Sequence, residues 1–176
     1  MILLRDGPAG LGVLLVERNP AARFMGGAWV FPGGAVGDED AGPEECALRE
    51  LEEEAAVRLS GPEVLIPFSH WITPDEVPIR FDTKFFVAAA PAGARARPDG
   101  EECVDARWLR PGDALEQGTR GELSLVFPTI KQLERLVGAA SVEAALEAAR
   151  ATEVTAIQPR VVDQRIVLPG EPGYDG

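Results

Sequence analysis

Short apolar runs separated by turn signals fill the first two thirds of the chain, and helical spacing takes over after that. Met1 to Arg5 is an apolar run that ends at Asp6-Gly7-Pro8, a turn signal, and Leu11 to Val16 is a second β-rich run. Together they predict two strands around a turn. Arg18 to Gly27 reads as a polar loop carrying Arg18 and Arg23, and Ala28 to Phe31 as a strand running into Pro32-Gly33-Gly34. Pro43, followed by Glu44 and Glu45, opens a helix, and Ser60-Gly61-Pro62 is the latest point at which it can stop. Val64 to Trp71 and Ile79 to Ala88 read as strands; in the second, Phe81, Thr83 and Phe85 alternate with Arg80, Asp82 and Lys84. After a Pro/Gly-rich loop, Val104 to Leu109 is expected as the last main strand. Helices are expected to begin at Asp113, at Phe127 and after Ser141, a side chain suited to capping. Val154 to Gly176, with Pro159, Pro169 and Pro172, reads as extended chain with room for a late strand. The pattern therefore predicts an α/β fold: a mixed sheet with helices on its faces. Residues 1–160 form one domain and 161–176 an extended C-terminal tail.

Composition narrows the function classes. A chain of 176 residues suits one domain with a sizeable core. The net charge of −12 argues against nucleic acid or an anionic membrane as partner. It leaves an anionic small substrate open, because a bound cation can reverse the local field. Cys46 and Cys103 are the only cysteines, and Cys46 lies inside the helix that Pro43 opens, so reduced thiols are expected rather than a disulfide framework. No signal peptide or membrane-spanning apolar run is read, and a cytoplasmic location is the expectation.

The helix from Pro43 ends against local preference. Arg49-Glu50-Leu51-Glu52-Glu53-Glu54 puts carboxylates at the negative end of the helix dipole, each costing roughly 0.3–1 kcal/mol when exposed. Glu50 and Glu54 also form a like-charge i,i+4 pair. At about 100° per residue, Ala47, Leu48, Leu51 and Ala55 share an apolar arc, while Glu50, Glu53 and Glu54 share a separate arc and Glu52 falls outside it. Three carboxylates on one face suit a hard, oxygen-seeking cation such as Mg²⁺ or Mn²⁺. A run that breaks local rules is a candidate functional site.

The stretch Gly33 to Val57 resembles the Nudix box, the signature of the Nudix hydrolases. Arg49, Glu50, Leu51, Glu53, Glu54 and Val57 match the second half of that pattern, and Gly34, preceded by Phe31-Pro32-Gly33, matches its first glycine. Two positions depart. Fourteen residues separate Gly34 from Arg49 where the pattern has about 13, so both Glu39 and Asp40 are candidates for its first acid. Ala56 replaces the second glycine. If that position needs a left-handed backbone, alanine costs on the order of 1 kcal/mol there; otherwise the helix simply ends differently.

The resemblance implies an α/β/α sandwich and metal-dependent hydrolysis of a diphosphate in a nucleoside diphosphate linked to another group. It implies Glu50, Glu53 and Glu54 as holders of Mg²⁺ or Mn²⁺, with the Gly34 carbonyl as a further ligand, and Glu53 as first choice for taking a proton from the attacking water. Arg49 is expected to orient a box carboxylate. Glu101, Glu102 and Asp105 lie near a loop that supplies the base in some relatives. Arg18 and Arg23 are candidates to grip substrate phosphates. Leu14-Leu15-x-x-Arg18, with Arg23-x-x-x-Gly27-x-x-x-Phe31-Pro32-Gly33-Gly34, resembles a motif of the coenzyme A and acyl-CoA subgroup. Val16 and Asn19 depart from it, standing where threonine and serine or alanine are usual. ADP-ribose, NADH, a nucleotide sugar or a nucleoside triphosphate are the alternative substrates, and a non-catalytic nucleotide sensor is the alternative function. Homodimers are common in the family. His70 is expected in a hydrogen-bonded structural role, the tryptophans in the core, and Arg80 with Asp82 as a surface pair.

Overall fold

A computed structural model describes residues 1–174. In chain order the strands and α-helices are β1 (Ile2–Gly7), β2 (Gly10–Arg18), β3 (Ala28–Val30), α1 (Pro43–Ala55), β4 (Ile66–Ile72), β5 (Asp82–Ala89), β6 (Cys103–Leu109), α2 (Pro111–Thr119), β7 (Ser124–Leu125), α3 (Phe127–Leu136), α4 (Val142–Arg150), β8 (Ala156–Ile157), β9 (Arg160–Val162) and β10 (Arg165–Val167).

The sheet is built around β2. Val13 pairs with both Leu4 and Leu109, and Val16 with both Val30 and Ala106. So β6 runs along one edge of β2, while β1 and then β3 follow one another along the other. Beyond β1 the order is β5, β4, β8, and β7 lies outside β3. The β1–β5, β3–β7 and β4–β8 pairs are parallel and the rest antiparallel, which makes the sheet mixed.

Alternation along β2 assigns the two faces, because successive strand side chains point to opposite sides. Val13 and Leu15 join a core with Ala114 of α2, Leu133 and Leu136 of α3, and Val142, Leu146 and Ala149 of α4. Leu14 and Val16 join a second core with Ala47, Leu51 and Ala55 of α1. The result is the expected α/β/α sandwich. Leu51 is fully buried, and truncating such a residue to alanine costs about 2–5 kcal/mol. The apolar arc of α1 thus anchors the helix and turns its acidic arc toward the sheet's end.

That end is where the site forms. β2 finishes there at Arg18, β1 starts there, and the nitrogen of Met1 donates to the Pro32 carbonyl at 2.5 Å where β1 gives way to the end of β3.

Three expectations are corrected. Ile79 to Phe81 lie outside β5, because the β4–β5 ladder ends at Ile72↔Asp82 and Thr73 then closes the loop on Phe81, through N–H to carbonyl at 2.9 Å. β6 is not the last strand: two-residue and three-residue strands follow, too short for periodicity to reveal. Within 161–174 the chain is not simply extended. β9 and β10 form a hairpin around Asp163 and Gln164, both left-handed at φ 48° and 63°, as tight hairpin turns require. Residues 175 and 176 of the expected tail lie outside the described residues.

Candidate metal and substrate site

The end of α1 is held by its own carboxylates. Glu54 accepts the Gly33 N–H at 2.8 Å, which lays the Phe31-Pro32-Gly33-Gly34 loop over the last turn of the helix. Glu50 and Glu54 are buried, at 8% and 3% exposure. Burial pushes both carboxyls above the usual range. For Glu50 the Arg49 hydrogen bond opposes the push, and Glu53 and Glu102 add to it; for Glu54 the Gly33 N–H opposes it and the charge of Glu50 adds to it.

Arg49 organises the surrounding acids. Nη1 donates to Glu50 Oε1 at 2.9 Å and to Glu53 Oε2 at 2.8 Å. Nε and Nη2 fork onto Asp40 at 3.0 and 2.9 Å, and Asp40 also accepts the Gly37 N–H at 2.8 Å. The Arg49 fork holds the Asp40 carboxyl down to about 2. Glu39 approaches Arg49 only to 3.7 Å, with 65% of its side chain exposed. The structure thus resolves the two candidates for the first box acid: Asp40 takes the arginine. Five residues separate it from Gly34, as in the pattern, so the extra residue falls between Asp40 and Arg49.

The box glycine at Gly34 has a local reason. A Cβ built there would stand 2.2 Å from Glu50 Oε1, so glycine lets the loop pass this carboxylate without displacing it. The Gly34 carbonyl faces the Cys46 thiol at 3.7 Å. The second box glycine is needed as well, in the conformational sense. Ala56 adopts φ 53°, ψ 33°, its N–H bonds to the Glu52 carbonyl and Val57 N–H to the Leu51 carbonyl. This is a left-handed helix terminus of the kind glycine favours. The costlier of the two expectations for Ala56 is the one observed.

Arg18 lies half-buried near Glu54, its charge favouring the ionised carboxylate, and its Nε is buried without a hydrogen-bond partner. Arg23 stands exposed on the loop after β2, and among the described residues neither arginine forms an ion pair with a carboxylate. The structure therefore gathers Gly34, Asp40, Arg49, Glu50 and Glu53 in one network, with Glu54 and Arg18 beside it and Arg23 farther out on its loop. Among the described residues no three acids, cysteines or histidines converge in a metal-holding arrangement. Glu50 and Glu53 are turned onto Arg49, and Glu54 onto Gly33. The chemistry of the donors nevertheless fits a hard divalent cation: two buried carboxylates, the charge of Glu50 adding to the cost of ionising Glu54, lie against a glycine loop. A cation among them would offset both the burial and the repulsion.

Other parts of the site escape sequence reasoning. Cys103 is fully buried on the Glu54 side, and burial, with the charge of Glu54 adding to it, pushes its thiol up. Asn19 and Asp99 tie the loop before β6 in place. The only sequence signal for either was that Asn19 departs from the subgroup motif. His70 bonds Asp82 at 2.5 Å, and Arg80 pairs with Asp75 at 2.7 Å, so the expected Arg80–Asp82 pair is replaced by two others. Trp29 and Trp71 are buried, as expected.

An α/β/α sandwich whose one surface helix carries this arginine-linked acid cluster under a glycine loop is a NUDIX domain. Residues 1–128 match the NUDIX domain family, and the chain belongs to it. A Caenorhabditis elegans protein carrying the provisional name nudix hydrolase 7 is 28% identical over 70% of this chain and 55% of its own length. The uncharacterized Nudix hydrolase NudL of Escherichia coli K12 is 48% identical over 31% of this chain and 28% of its own. The chain thus spans about half the length of the first relative and less of the second. Among solved structures, a NUDIX hydrolase from Alicyclobacillus acidocaldarius superposes with a TM-score of 0.72 at 26% identity, covering 86% of this chain and 95% of that one. The NUDIX domain of Shewanella oneidensis NrtR, crystallised with ADP ribose, shares the fold at a TM-score of 0.61 and 21% identity, over 76% and 80% of the two chains.

Proposed function

We propose that the protein is a divalent-metal-dependent diphosphatase that cleaves a nucleoside diphosphate linked to another group, with coenzyme A or acyl-CoA as the leading substrate class. The observation that carries the reading is charge of both signs at one place. Buried Glu50 and Glu54 call for a cation, and beside them Arg18 keeps a buried Nε without a partner. A diphosphate with its bound metal supplies both missing charges. The coenzyme A reading is supported by the spacing of Arg18, Arg23, Gly27 and Phe31-Pro32-Gly33-Gly34.

Glu50, Glu53, Glu54 and the Gly34 carbonyl would hold Mg²⁺ or Mn²⁺. When bound, the cation neutralises diphosphate oxygens and lowers the pKa of the attacking water. The protein does the rest. Arg49, fixed by Asp40, keeps Glu50 and Glu53 in a set relation through two charge-assisted hydrogen bonds. Glu53, with 57% of its side chain exposed, is the box carboxylate that water can reach, and it takes the proton. Arg18 binds a phosphate oxygen from the sheet's end, and Arg23 closes on the substrate from its loop.

Product analysis with Mg²⁺ on coenzyme A, acetyl-CoA, ADP-ribose, NADH and a nucleoside triphosphate tests the reading, with Glu53→Gln as control. Release of 3′,5′-ADP from coenzyme A, lost in the variant, is the expected result. Turnover of ADP-ribose or NADH alone would move the substrate and keep the mechanism. Tight nucleotide binding with no turnover would make the domain a sensor.

A further inference from the structure

The sheet forks at the end that holds the site. β1 starts at Ile2, opposite Val87, so residues 82–86 of β5 run on past it, while β3 takes its place beside β2 and does not pair with β5. Three ring pairs bridge the fork. Phe31, just after β3, meets Phe85 of β5 edge-on with centroids 6.1 Å apart, and Phe127, which opens α3 just after β7, meets Trp71 of β4 at 6.0 Å. Phe24, on the loop between β2 and β3, meets Phe81, just before β5, at 5.4 Å. Phe31 and Trp71 are buried, but Phe24 and Phe81 are 38% and 48% exposed, and Met25 and Ile79, close to them in the chain, are exposed as well. Neighbouring exposed apolar side chains of this kind mark a binding surface. The outer pair is held in place. Thr73 donates its N–H to the Phe81 carbonyl and accepts the Phe81 N–H on Oγ1, both at 2.9 Å. The Phe24 loop leaves β2 at Arg18 and closes back on it, the Gly27 N–H donating to the Arg18 carbonyl at 3.0 Å. Within the fork, buried Trp71 keeps an indole N–H without a hydrogen-bond partner.

We propose that the fork is the subsite for an aliphatic acyl chain on the substrate, which lies over Phe24 and Phe81 with its carbonyl toward Trp71. The inference rests on the acyl-CoA reading above. Continuity with the diphosphate site supports it, because one loop carries Arg18 at its root and Arg23 next to Phe24. The ring geometry favours a chain over a nucleobase. Rings already in contact at 5.4 Å, tilted by 41°, leave no slot in which a planar base could stack between them, whereas a chain needs only their outer faces. Met25 is unbranched and can follow such a chain. The unpartnered indole N–H wants an acceptor, and an acyl carbonyl supplies one where a bare hydrocarbon would not.

The test uses coenzyme A with butyryl-CoA and octanoyl-CoA. KM is read on the wild type with Mg²⁺, and Kd by calorimetry with Mg²⁺ in the Glu53→Gln background, which reports binding whether or not the wild type turns over. Half-burial of each added methylene predicts that octanoyl-CoA binds about 15-fold more tightly than butyryl-CoA. In Phe24→Ser and Phe81→Ser, both at exposed positions that leave the core alone, that ratio should fall below about threefold while Kd for coenzyme A stays unchanged. Trp71→Phe should weaken both acyl-CoAs alike and keep the ratio. A ratio near one in the unsubstituted fork overturns the proposal. So does the full ratio kept in both serine variants, or acyl-CoA binding untouched by Trp71→Phe. Discrimination between bases, or a dimer in solution, that the serine variants abolish with no chain-length ratio present would give the rings to the base or to a second copy and overturn it too. A wild type that hydrolyses coenzyme A with a flat chain-length series removes this subsite alone. A wild type inert on every diphosphate removes the hydrolase reading, and the Kd ratio then upholds or overturns the subsite by itself.

Discussion

Gly34→Ala should cripple the site while leaving the fold nearly intact. The new Cβ would lie 2.2 Å from Glu50 Oε1, 2.5 Å from Cδ and 2.8 Å from Oε2, so the whole carboxylate must leave. It cannot leave freely, because Glu50 is buried and its Oε1 accepts from Arg49 Nη1 at 2.9 Å. Giving up one charge-assisted hydrogen bond costs about 1.5–3 kcal/mol. If that interaction sets the carboxylate for the reaction, kcat/KM falls roughly ten- to 150-fold. Gly37→Ala is the matched control. Its Cβ also meets a carboxylate, at 2.5 Å, but this belongs to the exposed Glu39, which can turn into solvent. Steady-state kinetics of both variants on the best substrate, with melting temperatures alongside, give the answer. Equal activity in Gly34→Ala and Gly37→Ala would refute the role given to Glu50's placement.

Ala56→Gly should stabilise the protein by about 1 kcal/mol, since an exposed left-handed alanine is replaced by the residue that suits that backbone. For a chain of this size that is a rise of about 2–4 °C in Tm, read by thermal unfolding; an unchanged or lower Tm would contradict the strain assigned to this cap. Asp40→Asn should lower kcat by about tenfold or more, as loss of an outer partner of site ligands does, whereas Glu39→Gln should change it less than about twofold. The pH dependence of the metal-free protein has two opposite arms. The raised Glu50 and Glu54 carboxyls bind protons more readily folded than unfolded, so stability should increase as pH falls from neutral toward the ordinary carboxylate range. The depressed Asp40 works the other way, with stability present above its ordinary value of 3.8 and lost as pH falls through about 2. Urea midpoints from pH 7 to 2 follow both arms, and a monotonic fall from neutral pH would contradict the burial of the two box glutamates.

Much of this was readable in the chain because period and spacing carry it. The β1–β2 hairpin, α1 with its two arcs, and the Ser141 cap, whose Oγ accepts the Ala144 N–H at 3.2 Å, all follow from local pattern. The two-residue strands did not, since a run of two has no period and its pairing is decided by distant neighbours. The acid at the head of the box was ambiguous for a similar reason. Glu39 and Asp40 are adjacent carboxylates, and only the backbone that turns Asp40 inward, with its oxygen on the Gly37 N–H, separates them. Asn19 stayed hidden because its hydrogen bond to the Glu101 carbonyl joins residues 82 positions apart, which leaves no trace in local composition.

Both departures from the box pattern fall where they spare the carboxylates. The extra residue lies after Asp40 and before Arg49, and α1 begins at Pro43 without a side-chain cap, so the Ala41–Gly42 turn can lengthen while the helical spacing of Arg49, Glu50, Glu53 and Glu54 stays intact. Ala56 sits one residue past the helix and two past Glu54, and it keeps the helix-ending bonds to the Glu52 and Leu51 carbonyls that glycine would make. Its strain is therefore a cost to stability and not to geometry. Were the strain relieved by unwinding the last turn, Glu54 would leave the Gly33 N–H and the glycine loop would lose its hold on the helix. The bond from Glu54 to that loop and the full burial of Ala55 oppose such unwinding. The Ala56→Gly protein should accordingly gain stability with kcat unchanged. A gain in both would mean that the alanine also loosens the carboxylates, and the loop and helix end would then have to be treated as one moving part.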